Sequence, residues 1–161
     1  MRGVKEVSIE EKVIKYSDMV YKIAYTMTSR KSDADDIYQE VFIKLFEKNI
    51  DFDSEEHEKA WIIRVTINCC KMLKRKSFFK REVRLDDNID YPFKEDRFEV
   101  LEYVKKLPIK YNTVIYLFYY EGYQINEIAR ILETSEGTVK SQLSRARKML
   151  KESMKGDFDY E

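Results

Sequence analysis

Lys140, Ser141, Ser144, Arg145 and Lys148 stand at i, i+1, i+4, i+5 and i+8, so a helix through them carries all five on one face. The side chains suit nucleic acid. An arginine can grip a guanine edge with two hydrogen bonds, a serine bonds a base or a phosphate, and a lysine suits phosphate. Val139, Leu143, Ala146 and Leu150 fall on the opposite side and form its buried face. Such a helix needs a neighbour to hold it in a DNA groove. The segment Ile125 to Leu132 provides one, because Ile128, Ala129 and Leu132 can pack against Val139 and Leu143. Small Ala129 permits close approach at the turn Glu133–Thr134–Ser135, and Ser135 caps a final helix predicted from Glu136 to about Met154. Turn, cap and face together predict a helix-turn-helix rather than a plain helical hairpin with a basic surface.

A second polar face lies upstream. Arg64, Asn68, Lys71 and Arg75 recur at i, i+4, i+7 and i+11 in a helix predicted from about Glu56 to Lys76. Its expected inner face is Trp61, Val65, Cys69, Met72 and Leu73. Before it, Ile37, Val41 and Leu45 form an apolar stripe with Phe42 and Phe46 beside it, while Asp36, Gln39, Glu40 and Lys44 share a polar face. Ser32 is the expected cap of that helix, whose Asp33, Asp35 and Asp36 suit the positive end of the dipole. Ser8, with Glu11 three residues later, opens a first helix through Val13, Met19, Val20, Ile23, Ala24 and Met27. Ser77 to Asp96 lacks sustained periodicity and reads as a flexible linker that could span about 65 Å if extended. Beyond it, Phe98, Leu101 and Val104 mark a short helix that stops before Pro108, and the apolar run Asn112 to Glu121 ends at Gly122. The expected architecture is all-α: two small helical lobes, residues 1–76 and 97–155, joined by the linker 77–96 and followed by a tail 156–161.

The chain has 161 residues, and its 30 Lys and Arg balance 30 Asp and Glu. The balance conceals blocks. Ten acids between Asp33 and Glu58 face only Lys44 and Lys48, and nine bases between Lys59 and Arg84 face only Glu82. Seven acids between Asp86 and Glu102 face Lys94 and Arg97, and six bases between Lys140 and Lys155 face Glu152. The bases thus gather on the two elements whose spacing suits a polyanion. His57 is the one histidine, so a histidine-based triad or multi-histidine metal site is excluded, and no glycine-rich phosphate loop occurs. An enzyme, a cofactor and a metal are therefore not expected. Adjacent Cys69 and Cys70 cannot build a disulfide framework and are expected to be buried small residues. No apolar run approaches a membrane span, and Met1 to Lys12 lacks a signal core, which predicts a cytoplasmic chain without membrane insertion.

Glu127-Ile-Ala129, Gly137-Thr-Val-Lys-Ser141 and Arg145-Ala-Arg147 resemble region 4 of bacterial sigma-70-family factors, especially the small extracytoplasmic-function group. Asp35-Asp-Ile-Tyr-Gln-Glu-Val-Phe-Ile-Lys-Leu-Phe46 is similar to the family's region 2.2, and Trp61-Ile-Ile-Arg-Val-Thr-Ile-Asn68 with Lys71 and Lys74-Arg-Lys76 resembles regions 2.3 and 2.4. The resemblance covers both lobes. It implies a sigma factor that directs core RNA polymerase to promoters, with no catalytic residue of its own. Asp36, Gln39, Glu40, Phe42 and Lys44 would dock on the β′ clamp of the polymerase, and the C-terminal lobe on the β flap. Phe52, Trp61, Arg64, Asn68, Lys71, Arg75 and Lys76 would bind and help melt the −10 element. Thr138, Lys140, Ser141, Ser144, Arg145 and Lys148 would read the −35 element.

The resemblance further implies a linker threaded near the RNA exit path and an anti-sigma factor that clamps both lobes. Trp61 is open to two roles, core anchor or support for the DNA surface. The sequence departs from the family pattern at Gln124, where Ser or Thr usually caps a helix, at Gln142, often Arg, and at Met72, usually Asp. The Gln124 departure is expected to cost about 1 kcal/mol of capping. The competing reading, a helix-turn-helix regulator that acts without core polymerase, has no use for a clamp-docking helix.

Overall fold

A computed structural model describes residues 8–80 and 98–158. Among these residues every regular element is helical: α1 (Ile9–Thr28), α2 (Lys31–Lys48), α3 (Glu55–Lys80), α4 (Phe98–Lys105), α5 (Ile109–Ile115) with a π-helical turn over Tyr116–Tyr120, α6 (Ile125–Leu132) and α7 (Glu136–Phe158). The two-lobed all-α architecture is as expected. The linker lies largely outside the described residues, although α3 carries on past Lys76 into its first positions.

The N-terminal lobe is a three-helix bundle in which α1, α2 and α3 each pack on the other two. Ser8 caps α1, accepting a hydrogen bond from the Glu11 amide at 3.2 Å. Ser29, in the left-handed region at φ 61, ends α1 and returns its N–H to the Tyr25 carbonyl. The chain re-enters a helix at once, so α2 begins at Lys31 from an extended Arg30, and Ser32 is not its cap. The tight reversal sets that start, because only two residues separate the helices. Val20, Ile23 and Met27 meet Ile37 and Val41 and the α3 residues Ile62, Ile63 and Ile67 in a core with almost no solvent exposure. Burying each such side chain contributes about 1.5–3 kcal/mol.

The inner face of α3 differs from the expected one. Ile62, Ile63, Thr66, Ile67, Cys69 and Cys70 are buried, Trp61, Val65 and Leu73 are half-buried, and Met72 is 52% exposed. Two neighbours, α1 and α2, cover a wider arc than the single stripe assumed from spacing.

In the C-terminal lobe, α5 and α6 both pack on α7. Leu101, Val104, Val114, Leu117, Ile128, Ile131, Val139, Leu143 and Ala146 form its core. The apolar run after Asn112 leaves α geometry at Tyr116, where the π turn stacks Tyr116 on Tyr120 at 5.4 Å between centroids. Gly122 at φ 74 then turns the chain, a conformation that favours glycine.

The two lobes touch. α1 packs on α4 and α5, and α3 packs on α6. Asn112 donates from Nδ2 to the Thr26 carbonyl at 3.1 Å, and the Lys105 ammonium lies 4.3 Å from the Tyr25 ring centroid. In this structure the two lobes share a seam of α1, α3, α4, α5 and α6.

Candidate nucleic-acid interface

The helix-turn-helix is built from α6 and α7. Glu127 reaches back to accept a hydrogen bond from the Gln124 amide at 2.9 Å, so the start of α6 is closed despite the glutamine at the cap. The expected capping deficit is thereby offset. Glu133, at φ 54, stops α6, and the Thr134 amide returns to the Ala129 carbonyl at 3.0 Å. Ser135 then caps α7, its Oγ accepting from the Thr138 amide at 3.1 Å and lying 2.8 Å from the Thr138 hydroxyl. Val139, Leu143 and Ala146 are buried against the lobe, and Leu150 is half-buried. This orientation leaves Thr138, Lys140, Ser141, Ser144, Arg145 and Lys148 exposed together along one side.

The neighbouring arginines differ. Arg145 hydrogen-bonds the Tyr111 side chain and draws that phenol below its ordinary pKa. Arg147 points elsewhere, donating from Nε to the Tyr119 hydroxyl at 2.7 Å, with its guanidinium over the Phe118 and Tyr119 rings. Its aromatic anchor belongs to the π turn, which spacing alone does not reveal.

In the N-terminal lobe, Phe52 folds back from the loop before α3. Its ring meets Trp61 at 5.7 Å and His57 at 5.3 Å, and the Lys12 ammonium lies 5.7 Å from its centroid. The His57 ring nitrogen accepts from the Asp53 amide, and Ser54 caps α3 through the His57 amide at 3.1 Å. Half-buried Trp61 anchors the lobe and supports this loop. Glu58 gathers α1 to α3, accepting from the Tyr16 hydroxyl at 2.8 Å and pairing with Lys12 at 2.8 Å. Asn68, Arg75 and Lys76 are exposed along α3, and Lys71 is half-buried.

Arg64 is not with them in the open. It crosses to the other lobe, donating from Nε to the Ile131 carbonyl at 2.9 Å and from Nη2 to the Arg130 carbonyl at 3.3 Å, while Nη1 pairs with Glu133 at 3.0 Å.

On α2, Asp36, Gln39 and Glu40 are exposed, and Lys44 is half-buried beside Glu40 at 3.3 Å. Phe42 is a correction. At 5% exposure it sits in the core, 4.9 Å from Tyr38 and 6.2 Å from Phe46, and supports the polar face from beneath. The exposed apolar residue is its neighbour Ile43, at 53%. Its i+4 relation to Gln39 and i+7 relation to Asp36 was the signal that would have found it.

Cys69 and Cys70 are buried, and burial raises both thiols above their ordinary pKa. Among the described residues, no helix is long and apolar enough to cross a membrane, and no cluster of acid, histidine and cysteine residues could hold a metal ion.

Known proteins match both lobes. The family described as Sigma-70 region 2 matches residues 13–77, and Sigma-70, region 4 matches residues 97–150. The ECF RNA polymerase sigma factor SigW of Bacillus subtilis (strain 168) is 30% identical over 159 residues, covering 87% of this chain and 85% of the relative. SigM of the same strain, also an ECF RNA polymerase sigma factor, is 29% identical over 157 residues, covering 89% and 93%. Among solved structures, the sigma factor RpoE in complex with the anti-sigma factor NepR from Bartonella quintana has a similar fold. Its TM-score is 0.71 at 22% identity, covering 91% of this chain and 96% of that one.

Proposed function

The chain belongs to the extracytoplasmic-function (ECF) group of sigma-70-family RNA polymerase sigma factors, and from that membership we propose how its surfaces divide the work. As a sigma factor it directs core RNA polymerase to specific promoters and helps melt the −10 region. The observation that carries this function is the pairing of a region 2 match on one lobe with a region 4 match on the other. A regulator acting without core polymerase would need only the second.

The proposed division is as follows. The exposed α7 face of Thr138, Lys140, Ser141, Ser144, Arg145 and Lys148 reads the −35 element, with Arg145 suited to a guanine edge. Arg64, Asn68, Lys71, Arg75 and Lys76 on α3 supply cations and polar groups to the separated −10 strand, and Phe52 over Trp61 offers a stacking surface for an unstacked base. Asp36, Gln39, Glu40 and Lys44 on α2 dock on the β′ clamp, with Ile43 as the apolar centre of that contact and Phe42 beneath it. The C-terminal lobe meets the β flap. The matches at residues 13–77 and 97–150 support the proposed two-domain division with residues 77–96 as its linker.

The family regulates transcription, and the chain is read as carrying no catalysis of its own and as working in the cytoplasm. The solved neighbour's complex with an anti-sigma factor supports a partner of that kind here.

Transcription with purified core polymerase on genomic fragments tests the function. Initiation from a discrete set of promoters, dependent on this chain, is the expected result. No stimulated initiation from any discrete promoter would sink it.

A further inference from the structure

His57 stands where the Phe52 loop enters α3, and its contacts run back to that loop. The Asp53 amide donates to its Nδ1 at 3.2 Å. An amide N–H can only donate, so Nδ1 carries a lone pair and the ring is neutral, with its proton on Nε2. The Asp53 amide belongs to the peptide that follows Phe52, so this bond fixes the backbone beside that ring. The imidazole also meets the Phe52 ring edge-on at 5.3 Å between centroids. Ser54 completes the junction: its Oγ accepts from the His57 amide at 3.1 Å and its carbonyl from the Glu58 amide at 3.1 Å. At this third position of a helix, glutamate or glutamine commonly reaches back to the amide of the cap. His57 makes a similar return contact, one residue further back, through an acceptor that protonation removes.

Protonation exchanges one partner for another. An imidazolium has two donors and no lone pair, so it cannot accept from the Asp53 amide. The Asp53 carboxylate lies 3.8 Å from Nδ1 and would draw the new N–H. That carboxylate is 96% exposed, so the pair contributes little. One residue therefore offers His57 an amide in one charge state and a carboxylate in the other, and the loop backbone must turn between them. The surrounding charges have partners or stand in water. From α1, Lys12 pairs with Glu58 and Lys15 with Glu55, and the Tyr16 hydroxyl donates to Glu58. Further along α3, Lys59 pairs with Glu121 of the other lobe, while Asp51 and Glu56 are exposed. Carboxylates ordinarily titrate at about pH 4, and lysine and tyrosine at about pH 10. Histidine is the side chain that changes charge between about pH 5 and 8.

We propose that His57 is a positioning residue of the −10 site: neutral, it holds the Phe52 loop by the Asp53 amide and braces the Phe52 ring, and protonated it lets the loop go. This rests on Phe52 being the ring that takes an unstacked −10 base. A ring already held in place receives a base without the cost of ordering its loop. The Phe52 contacts with Trp61 and Lys12 do not involve His57, so the loss on protonation is partial.

Two measurements on the full-length chain test this. The first is NMR of the protein alone from about pH 5.5 to 8. With one histidine in the chain, the ring signals have a single source. The Asp53 amide should shift with the same midpoint as the His57 ring. It should stay fixed in His57→Gln, whose side-chain oxygen accepts at every pH. An Asp53 amide that ignores the ring titration overturns the contact.

The second is promoter opening with core polymerase, followed by permanganate reactivity of unpaired thymines, for wild type, His57→Gln and His57→Lys. Ratios between chains at each pH cancel the polymerase's own pH dependence. The wild-type rate divided by the His57→Gln rate should fall about threefold between about pH 8 and 5.5, the effect of losing one ordinary hydrogen bond. His57→Lys should lie about threefold below His57→Gln at every pH. A wild-type ratio that is flat with pH overturns the role in opening. Phe52→Ala separates the two readings. If it opens promoters as wild type does, the Phe52 reading fails, and the NMR titration still decides whether His57 holds the loop. If it lowers opening, adding His57→Gln to it should reveal no pH-dependent ratio. A ratio that still falls overturns action through Phe52.

Discussion

Arg147 donates from Nε to the Tyr119 hydroxyl at 2.7 Å, which ties the middle of α7 to the π turn that precedes the helix-turn-helix. Arg145, two residues earlier, points about 200° away on the helix and remains on the face with Lys140, Ser141 and Ser144. Two arginines of one short motif therefore face different ways: one lies on the exposed surface proposed to meet DNA, and the other packs on the lobe itself.

Arg145→Ala should lower discrimination among −35 variants by about 1–3 kcal/mol, measured as relative initiation or binding by the holoenzyme. Arg147→Ala should leave the preference unaltered and reduce stability by about 1 kcal/mol, read from denaturant midpoints. Unchanged preference in the Arg145 variant would reduce that residue to a phosphate contact.

Ile43 and Phe42 are adjacent, yet only Ile43 is exposed. Ile43→Ser should leave stability within about 0.5 kcal/mol of wild type and weaken binding to core polymerase by about 1–2 kcal/mol. Phe42→Ala should instead cost about 3–5 kcal/mol of stability. Gln39→Ala with Glu40→Ala should weaken core binding with the fold intact. Wild-type core affinity in both the Ile43 and the Gln39–Glu40 variants would contradict the docking surface.

Phe52 packs on Trp61, so the loop's aromatic ring is held ready rather than free. Phe52→Ala should reduce promoter opening, followed by permanganate reactivity of unpaired thymines, with closed-complex formation largely retained. The change should be about 1–3 kcal/mol, the typical worth of one base stacked on an aromatic side chain. Equal opening in variant and wild type would remove Phe52 from the strand contact.

Two phenols are kept protonated by the fold. Burial, followed by the hydrogen bond and charge of Glu58, pushes Tyr16 far above the ordinary phenol range, and burial followed by Glu121 and Glu127 pushes Tyr123 up to about 12. The folded state holds these protons more tightly than the unfolded chain. Their contribution is complete below a pKa of about 10 and is lost as pH rises through the folded values. Denaturant midpoints should therefore fall from about pH 10 upward, and Tyr16→Phe with Tyr123→Phe should flatten that decline. An equally steep alkaline loss in the double variant would place its cause elsewhere.

Local chemistry was legible in the chain because local chemistry set it. Ser8 and Ser135 cap their helices, Ile125 to Leu132 forms a helix, Gly122 turns the chain, and Val139, Leu143 and Ala146 are buried, all at the spacing that side-chain type and helical period dictate. The family motifs lie on these same elements, so the function was readable with them. Misreadings arose where two neighbours compete for one helix. Phe42 and Ile43 differ by one step of about 100°, and which of them is covered depends on how α1 and α3 together straddle α2. Met72 was assigned inward by the same single-stripe reasoning and is exposed.

The sequence by itself determined the helices, the caps at Ser8 and Ser135, the alternating charge and the exposed face of α7, since each depends on residues within a few turns of one another. Only the tertiary structure decided that Arg64 meets the Ile131 carbonyl, 67 positions away, and that Lys59 meets Glu121. A helical period says which side chains share a face, but not what covers that face. The partner is chosen by how whole lobes pack, and here the C-terminal lobe lies against part of the surface predicted to meet DNA.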